Sequence, residues 1–118
     1  MPKKSAKKIA LQCAQAALDK KANDVVVLEM KGLTNMTDYF VICSGTSDVQ
    51  VRAIANGIDE SLTKEKIKIH HIEGYKEATW TLIDLFDVVV HIFYEETRKF
   101  YDLETLWADA KVIINYEL

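Results

Sequence analysis

An apolar run, Tyr39-Phe40-Val41-Ile42-Cys43, ends at Ser44-Gly45-Thr46-Ser47, and a helical pattern starts directly after it. A strand, a small polar turn and a helix N-terminus together present backbone N–H groups in a geometry that holds anions. The chemistry such a turn would serve is phosphoryl or nucleotidyl transfer, which also needs carboxylates to hold a metal. The pattern lacks them. Asp48 is the one acid close to the turn, and its place at a helix start is explained by the helix dipole. Asp84 and Asp87 flank a predicted turn three residues apart, a poor arrangement for a two-metal clamp. The turn matches neither a Walker A loop nor a dinucleotide fingerprint. Gly45, Thr46 and Ser47 therefore read as a structural turn. The alternative is a diverged nucleotide-binding or nucleotidyltransferase domain that still uses it.

The histidines and cysteines give weaker patterns. His70 and His71 are neighbours in a predicted strand and point to opposite faces, so they do not share a metal easily. No Cys-x-x-Cys or His-Glu-x-x-His spacing is present, and no metal or cofactor is expected. Cys43 ends a strand before a helix, a position that lowers a thiol pKa, but its apolar neighbours favour burial. Cys13 and Cys43 both sit in apolar patterns, as buried free cysteines do. They fit a reducing compartment and no disulfide.

The densest feature is aromatic. Trp80, Phe93, Tyr94, Phe100, Tyr101 and Trp107 fall in the last 40 residues, interleaved with Asp84, Asp87, His91, Glu95, Glu96, Arg98 and Glu104. Large aromatics beside a few charges are what protein-binding hot spots use. Phe93, Leu103 and Leu106 read as core. Trp80, at a strand start near a turn, reads as partly exposed.

The elements that position these residues follow from periodicity. Ser5 to about Lys21 is a helix, Val25 to Met30 a strand, and Tyr39 to Cys43 a central strand covered on both faces. Ser47 is a helix N-cap with Gln50 three residues later, a capping-box spacing. Val51, Ile54, Ala55, Ile58 and Leu62 then recur at helical spacing. Ile67 to Ile72, Thr79 to Leu85 and Asp87 to Tyr94 are strands, the last two joined as an antiparallel hairpin. In the last strand Val88, Val90 and Ile92 share one face and Val89, His91 and Phe93 the other. Glu95 to about Leu106 is a helix anchored by Phe100, Leu103, Leu106 and Trp107. The order is α-β-β-α-β-β-β-α, one α/β domain with a mixed sheet flanked by helices.

At 118 residues the chain is one domain, able to bury roughly two-thirds of its unfolded surface. Its net charge of −3 excludes a surface that binds nucleic acid all over. Direct sequence-specific nucleic-acid binding is not expected. Lys3, Lys4, Lys7 and Lys8 suit a transient electrostatic contact with RNA or an acidic protein, or equally a solvated, mobile start over residues 1–5. The apolar stretch after them is broken by Gln12 and Gln15, unlike a secretion signal. No apolar run reaches membrane-spanning length, so no membrane partner is expected.

Several of these segments resemble the ribosomal silencing factor, or Iojap-like, family. They are Asp38 to Ser47, Val51-Arg52-Ala53-Ile54-Ala55, Glu73-Gly74, Trp80, Asp84 and Asp87 to Phe93. Arg98, Tyr101-Asp102-Leu103-Glu104 and Leu106-Trp107-Ala108-Asp109-Ala110 complete them. The resemblance spans about Ala6 to Ala110; residues 111–118 form a variable tail outside it. It implies a nucleotidyltransferase-like fold without the catalytic acids, hence no enzyme. It implies binding to the large ribosomal subunit through its protein number fourteen, a steric block to joining of the small subunit, and repression of translation under nutrient limitation. It also implies a cytoplasmic homodimer. Trp80 matches the family's partner-binding tryptophan, and Asp84, Asp87, His91, Glu95, Arg98 and Tyr101 are the further candidates for the partner-binding face. An acidic binder suits a basic ribosomal protein. One departure is Phe86, where the family usually has glycine before the hairpin aspartate. A residue with φ > 0 there would be strained as Phe, which predicts a different turn.

Overall fold

The computed structural model describes residues 4–116. Met1, Pro2 and Lys3 of the N-terminal segment, and the last two residues of the tail, lie outside the described residues. In chain order the elements are α1 (Ala6–Asp19), β1 (Asn23–Glu29), β2 (Tyr39–Gly45), α2 (Asp48–Lys64) and β3 (His71–Glu73). They continue with β4 (Trp80–Asp84), β5 (Val88–Tyr94), α3 (Glu95–Tyr101), α4 (Leu103–Leu106) and β6 (Lys111–Tyr116). The six strands form one mixed sheet in the order β3-β4-β5-β2-β1-β6. Only β2 and β5 run parallel; α2 lies on the connection between them, as a parallel pair requires.

The strand alternation divides the core in two. Val25 and Val27, Val41 and Cys43, Ile83, and Val88, Val90 and Ile92 point to the face covered by α1 and α2. Val26 and Leu28, Ile42, and Phe93 point to the other, where Leu103, Ala110, Trp107, Phe40 and Trp80 join them. These strand residues thus read as two stripes of period two, and α2 supplies Val51, Ile54, Ala55, Ile58 and Leu62 to the first face.

Several expectations need correction. The predicted strand Ile67 to Ile72 shrinks to His71–Glu73 at the sheet edge, all three residues exposed. Upstream, Lys66 takes φ +58°, and Ile67 and Ile69 turn inward on the core without joining the ladder. The single helix from Glu95 to Leu106 is two helices, broken where Asp102 adopts a left-handed φ of +47°. The break leaves Phe100 81% and Leu106 70% exposed, while Leu103 is buried. Phe100 and Leu106 are therefore not core anchors. Residues Lys111–Tyr116 of the tail form β6, antiparallel to β1, with a register shift after Val27.

The hairpin turn also departs from expectation. Phe86 adopts φ +70°, so the turn keeps a left-handed residue even though it is Phe. The Phe86 amide donates to Asp84 Oδ1 at 2.8 Å, and the Leu85 amide donates to the Val88 carbonyl. The Asp87 carbonyl accepts from the amides of Asp38 and Tyr39, tying the turn to the start of β2. The Phe86 ring lies 4.0 Å from that of His70.

Candidate functional site

The strand–turn–helix unit is closed from within. Ser47 caps α2, its hydroxyl accepting from the Gln50 amide at 3.1 Å. In an ordinary capping box the Gln50 side chain would return to the Ser47 amide. Here its Oε1 accepts from the Thr46 amide at 2.7 Å and from the Thr46 hydroxyl at 3.0 Å. Its Nε2 reaches the Lys21 carbonyl at 2.9 Å. A donor that an anion would use is thus held by a neutral side chain. A Cβ on Gly45 would lie 3.2 Å from Val51, so the turn packs directly on its own helix. Gly45, Thr46 and Ser47 join β2 to α2 and leave no cradle.

The thiols are no more available. Cys43 faces α1 and α2, on the side of the sheet opposite to His91, and no Cys43–histidine pair forms. Burial pushes the thiols of Cys13 and Cys43 up to about 12, and both cysteines are free. Among the described residues no group of three or more His, Cys, Asp or Glu side chains could hold a metal. Among them, too, no helix is long and apolar enough to cross a membrane.

The aromatic residues do come together, on the face away from α1 and α2. In the β4–β5 register Trp80 lies opposite Phe93, Leu82 opposite His91 and Asp84 opposite Val89. The next strand, β2, places Phe40 beside Val89 and Ile42 beside His91. The Trp80 ring sits 4.9 Å from Phe93 and 4.7 Å from Tyr101. Its Nε1–H donates to Nδ1 of His91 at 3.1 Å. Phe40 meets His91 edge-on at 4.6 Å. Offset and edge-on geometries of this kind are those that aromatic quadrupoles favour. Trp80, Phe40, Leu82 and Val89 are half-buried, Tyr101 is exposed and His91 is 5% exposed beneath them. Burial pushes the His91 imidazole down to about 4. Because Nδ1 accepts, the neutral ring carries its proton on Nε2, and that atom is buried without a partner.

The acids distribute unevenly around this patch. Asp84 lies on the same face of β4 as Trp80, four residues on, or about 13 Å along a strand. Asp87 is exposed in the hairpin turn beyond it. Glu95 and Arg98 are elsewhere, on α3 above the β1–β2 side. Glu95 Oε1 accepts from Asn23 Nδ2 at 2.8 Å. Arg98, 8% exposed, spends its donors inward, on Glu104 Oε2 at 3.2 Å and Ser44 Oγ at 3.1 Å. Both residues line an open cleft of about 730 Å³ with Asp24, Trp107 and Ala110. Of the seven candidates, Trp80, Asp84, His91 and Tyr101 share one surface. Asp87 borders it at the far turn, and Glu95 and Arg98 do not reach it.

Sequence reasoning missed Phe40 and Leu82, which complete the patch. The signal was present in part: Trp80, Leu82 and Asp84 alternate with the buried Thr81 and Ile83. Phe40 carries no such signal, because the run around it is apolar on both faces.

The sequence profile described as "Ribosomal silencing factor during starvation" matches residues 3–118. The chain is 47% identical over 110 residues to "Ribosomal silencing factor RsfS" of Bacillus subtilis, covering 93% of this chain and 91% of the relative. It is 36% identical to the chloroplastic protein Iojap of Zea mays, covering 88% of this chain and 45% of the maize protein. A crystal structure from Chromobacterium violaceum superposes with a TM-score of 0.87 at 31% identity, covering 89% of this chain and 88% of the other. One from Bacillus halodurans superposes with a TM-score of 0.78 at 42% identity, covering 95% and 99%. With a family profile matched along almost the whole chain and a relative at nearly half identity, this chain belongs to the ribosomal silencing factor (RsfS) family.

Proposed function

We propose that this chain is a non-enzymatic repressor of translation that binds the large ribosomal subunit through its protein number fourteen. On this reading it blocks joining of the small subunit sterically when nutrients are short. It acts in the cytoplasm, as a homodimer, and its architecture is a nucleotidyltransferase-like fold whose turn has lost its ligand. The observation that carries the reading is the Trp80 surface: a half-buried indole held by a buried histidine and flanked by Tyr101, with Phe40 edge-on to the histidine and Asp84 and Asp87 at the edge of the patch. Aromatic anchors at the centre of a patch supply most of the free energy of protein–protein binding. Peripheral carboxylates speed encounter with a basic partner. Membership of a family whose relatives are named ribosomal silencing factors supplies the partner class.

The test is co-sedimentation with isolated large and small ribosomal subunits, wild type beside Trp80→Ala. The expected outcome is pelleting with the large subunit alone, weakened in the variant by about 2 kcal/mol, roughly thirtyfold. Unchanged pelleting by a folded Trp80→Ala protein would remove Trp80 as the anchor. Failure of the wild type to pellet with either subunit would remove the ribosomal reading.

A further inference from the structure

The start of α1 carries charges that do not help it fold. Its first turn holds Lys7 and Lys8 and no acid, with Lys4 just outside the Ser5 cap. A helix N-terminus is the positive end of the helix dipole, where lysine is disfavoured and carboxylates are favoured. The chain forgoes that stabilisation, although α2 and α3 both carry acids in their first turns.

The same end of the molecule gathers further lysines from elsewhere in the chain. The Lys4 ammonium bonds the side chains of Glu65 and Gln12, and the Gln12 amide bonds Ser61. The first turn of α1 therefore lies beside the last turn of α2. Lys64, Lys66 and Lys68 follow there, all exposed. Lys66 sits in the left-handed region at φ +58°, and Ile67 and Ile69 pack on the core on either side of Lys68. Among the described residues, Lys7, Lys8, Lys64, Lys66 and Lys68 have no ion-pair partner, and Glu65 is answered by Lys4. Asp59 and Glu60, a turn earlier on α2, are the other acids close by. On a chain of net charge −3, this is a segregated basic end, on the helical side of the sheet and away from the Trp80 surface.

We propose that this end, made by the first turn of α1 and the segment leaving α2, is a binding surface for the phosphate backbone of RNA. The chemistry favours a phosphate backbone over other acidic partners. Every cation is lysine, a point charge suited to phosphates, and no arginine fork is present to read base edges. No large apolar side chain is exposed between Lys4 and Lys8 or between Lys64 and Lys68, so nothing would insert into a lipid surface. The contact is electrostatic and independent of sequence. The natural RNA, ribosomal RNA next to the docked protein, rests on the reading under Proposed function; the surface itself does not.

The experiment is fluorescence anisotropy with a short labelled RNA hairpin of arbitrary sequence, titrated with the full chain between about 50 and about 200 mM salt. The variant is Lys7→Glu/Lys8→Glu. Glutamate at position 8 stands three residues after the Ser5 cap and completes a capping box, so the variant should melt at or above the wild-type temperature. Lost binding cannot then be charged to unfolding. The expected result is salt-sensitive binding by the wild type, weakened at least about tenfold in the variant, with the logarithmic salt slope smaller by about 2. Trp80→Ala should bind the hairpin as the wild type does. Salt-insensitive or undetectable wild-type binding, unchanged binding by the double variant, or displacement of RNA by polyglutamate of equal charge would each overturn the proposal. A protein that pellets with large subunits but ignores the hairpin loses this surface alone. One that binds the hairpin but no subunit keeps it and loses the ribosomal reading.

Discussion

The indole of Trp80 is oriented by a hydrogen bond from its Nε1–H to Nδ1 of His91, 3.1 Å away on the diagonal of the β4–β5 ladder. Diagonal neighbours on one face of an antiparallel pair are within reach of long side chains, and here the pair fixes both rings. Trp80 cannot turn its N–H to water without losing its acceptor. His91 cannot change tautomer without losing its donor.

On the proposed function, His91 acts on the partner through Trp80, whose indole it orients. Replacing it by phenylalanine keeps a flat ring of similar size and removes the acceptor. The expected result is a loss of large-subunit affinity of about 1 kcal/mol, near fivefold, smaller than that of Trp80→Ala. Subunit pelleting checks it, with melting temperature as the control. If His91→Phe binds as tightly as wild type, the hydrogen bond does not set the anchor's pose.

The same histidine makes stability depend on pH. Its pKa falls from 6.5 to about 4 because burial penalises the imidazolium. Between those values the unfolded chain binds the proton and the folded chain does not. This contribution is therefore complete above about 6.5 and shrinks as pH falls towards about 4, by up to about 3 kcal/mol. Urea unfolding midpoints measured across that interval should fall with pH in the wild type and fall less in His91→Phe. Parallel profiles in the two proteins would assign the acid sensitivity to other groups.

Much of this surface was legible because its signals are local. The alternation of Val89, His91 and Phe93, the Ser47 cap and the position of Trp80 at a strand start are all short-range patterns, and each is found as read. The rest depends on partners far away in sequence. Arg98 reads as a free charge until the chain brings it Ser44, 54 residues away, and the Asn23 carbonyl, 75 away. Strand β6 exists because β1 offers it an edge. Asp102 adopts the left-handed conformation that breaks the last helix without glycine to announce it. A continuous helix through Asp102 would turn Leu106 inward; the break leaves it exposed.

Phe86 tests the cost of an unannounced left-handed residue. At φ +70° and 61% exposed, it gives up little burial in return for its strain. Its main compensation is the contact with His70. A left-handed non-glycine residue costs about 1–2 kcal/mol, whereas glycine takes that conformation freely. Phe86→Gly should therefore raise stability by about 0.5–1 kcal/mol in urea titration. A lower midpoint would show that the Phe86–His70 contact outweighs the backbone strain.

Arg98 decides whether α3 and α4 hold to the sheet. Its guanidinium joins Glu104 from α4, Ser44 from β2 and the Asn23 carbonyl from β1. Glu104 Oε1 is already buried without a partner, so removing the cation would leave the carboxylate with less compensation still. Breaking such a pair from one side costs about 3–5 kcal/mol when it is fully buried. The Glu104 side chain keeps 37% of its exposure, which lowers the expected cost of Arg98→Met to about 2 kcal/mol. Adding Glu104→Gln should return part of that loss, because the remaining group is neutral. The single variant should also weaken large-subunit binding, since α3 carries Tyr101 to its place beside Trp80. Urea titration and pelleting on the same samples separate the two roles. Lost affinity at unchanged stability would make Arg98 a direct contact with the partner. Lost stability with affinity restored in the double variant would make it the tie that sets Tyr101.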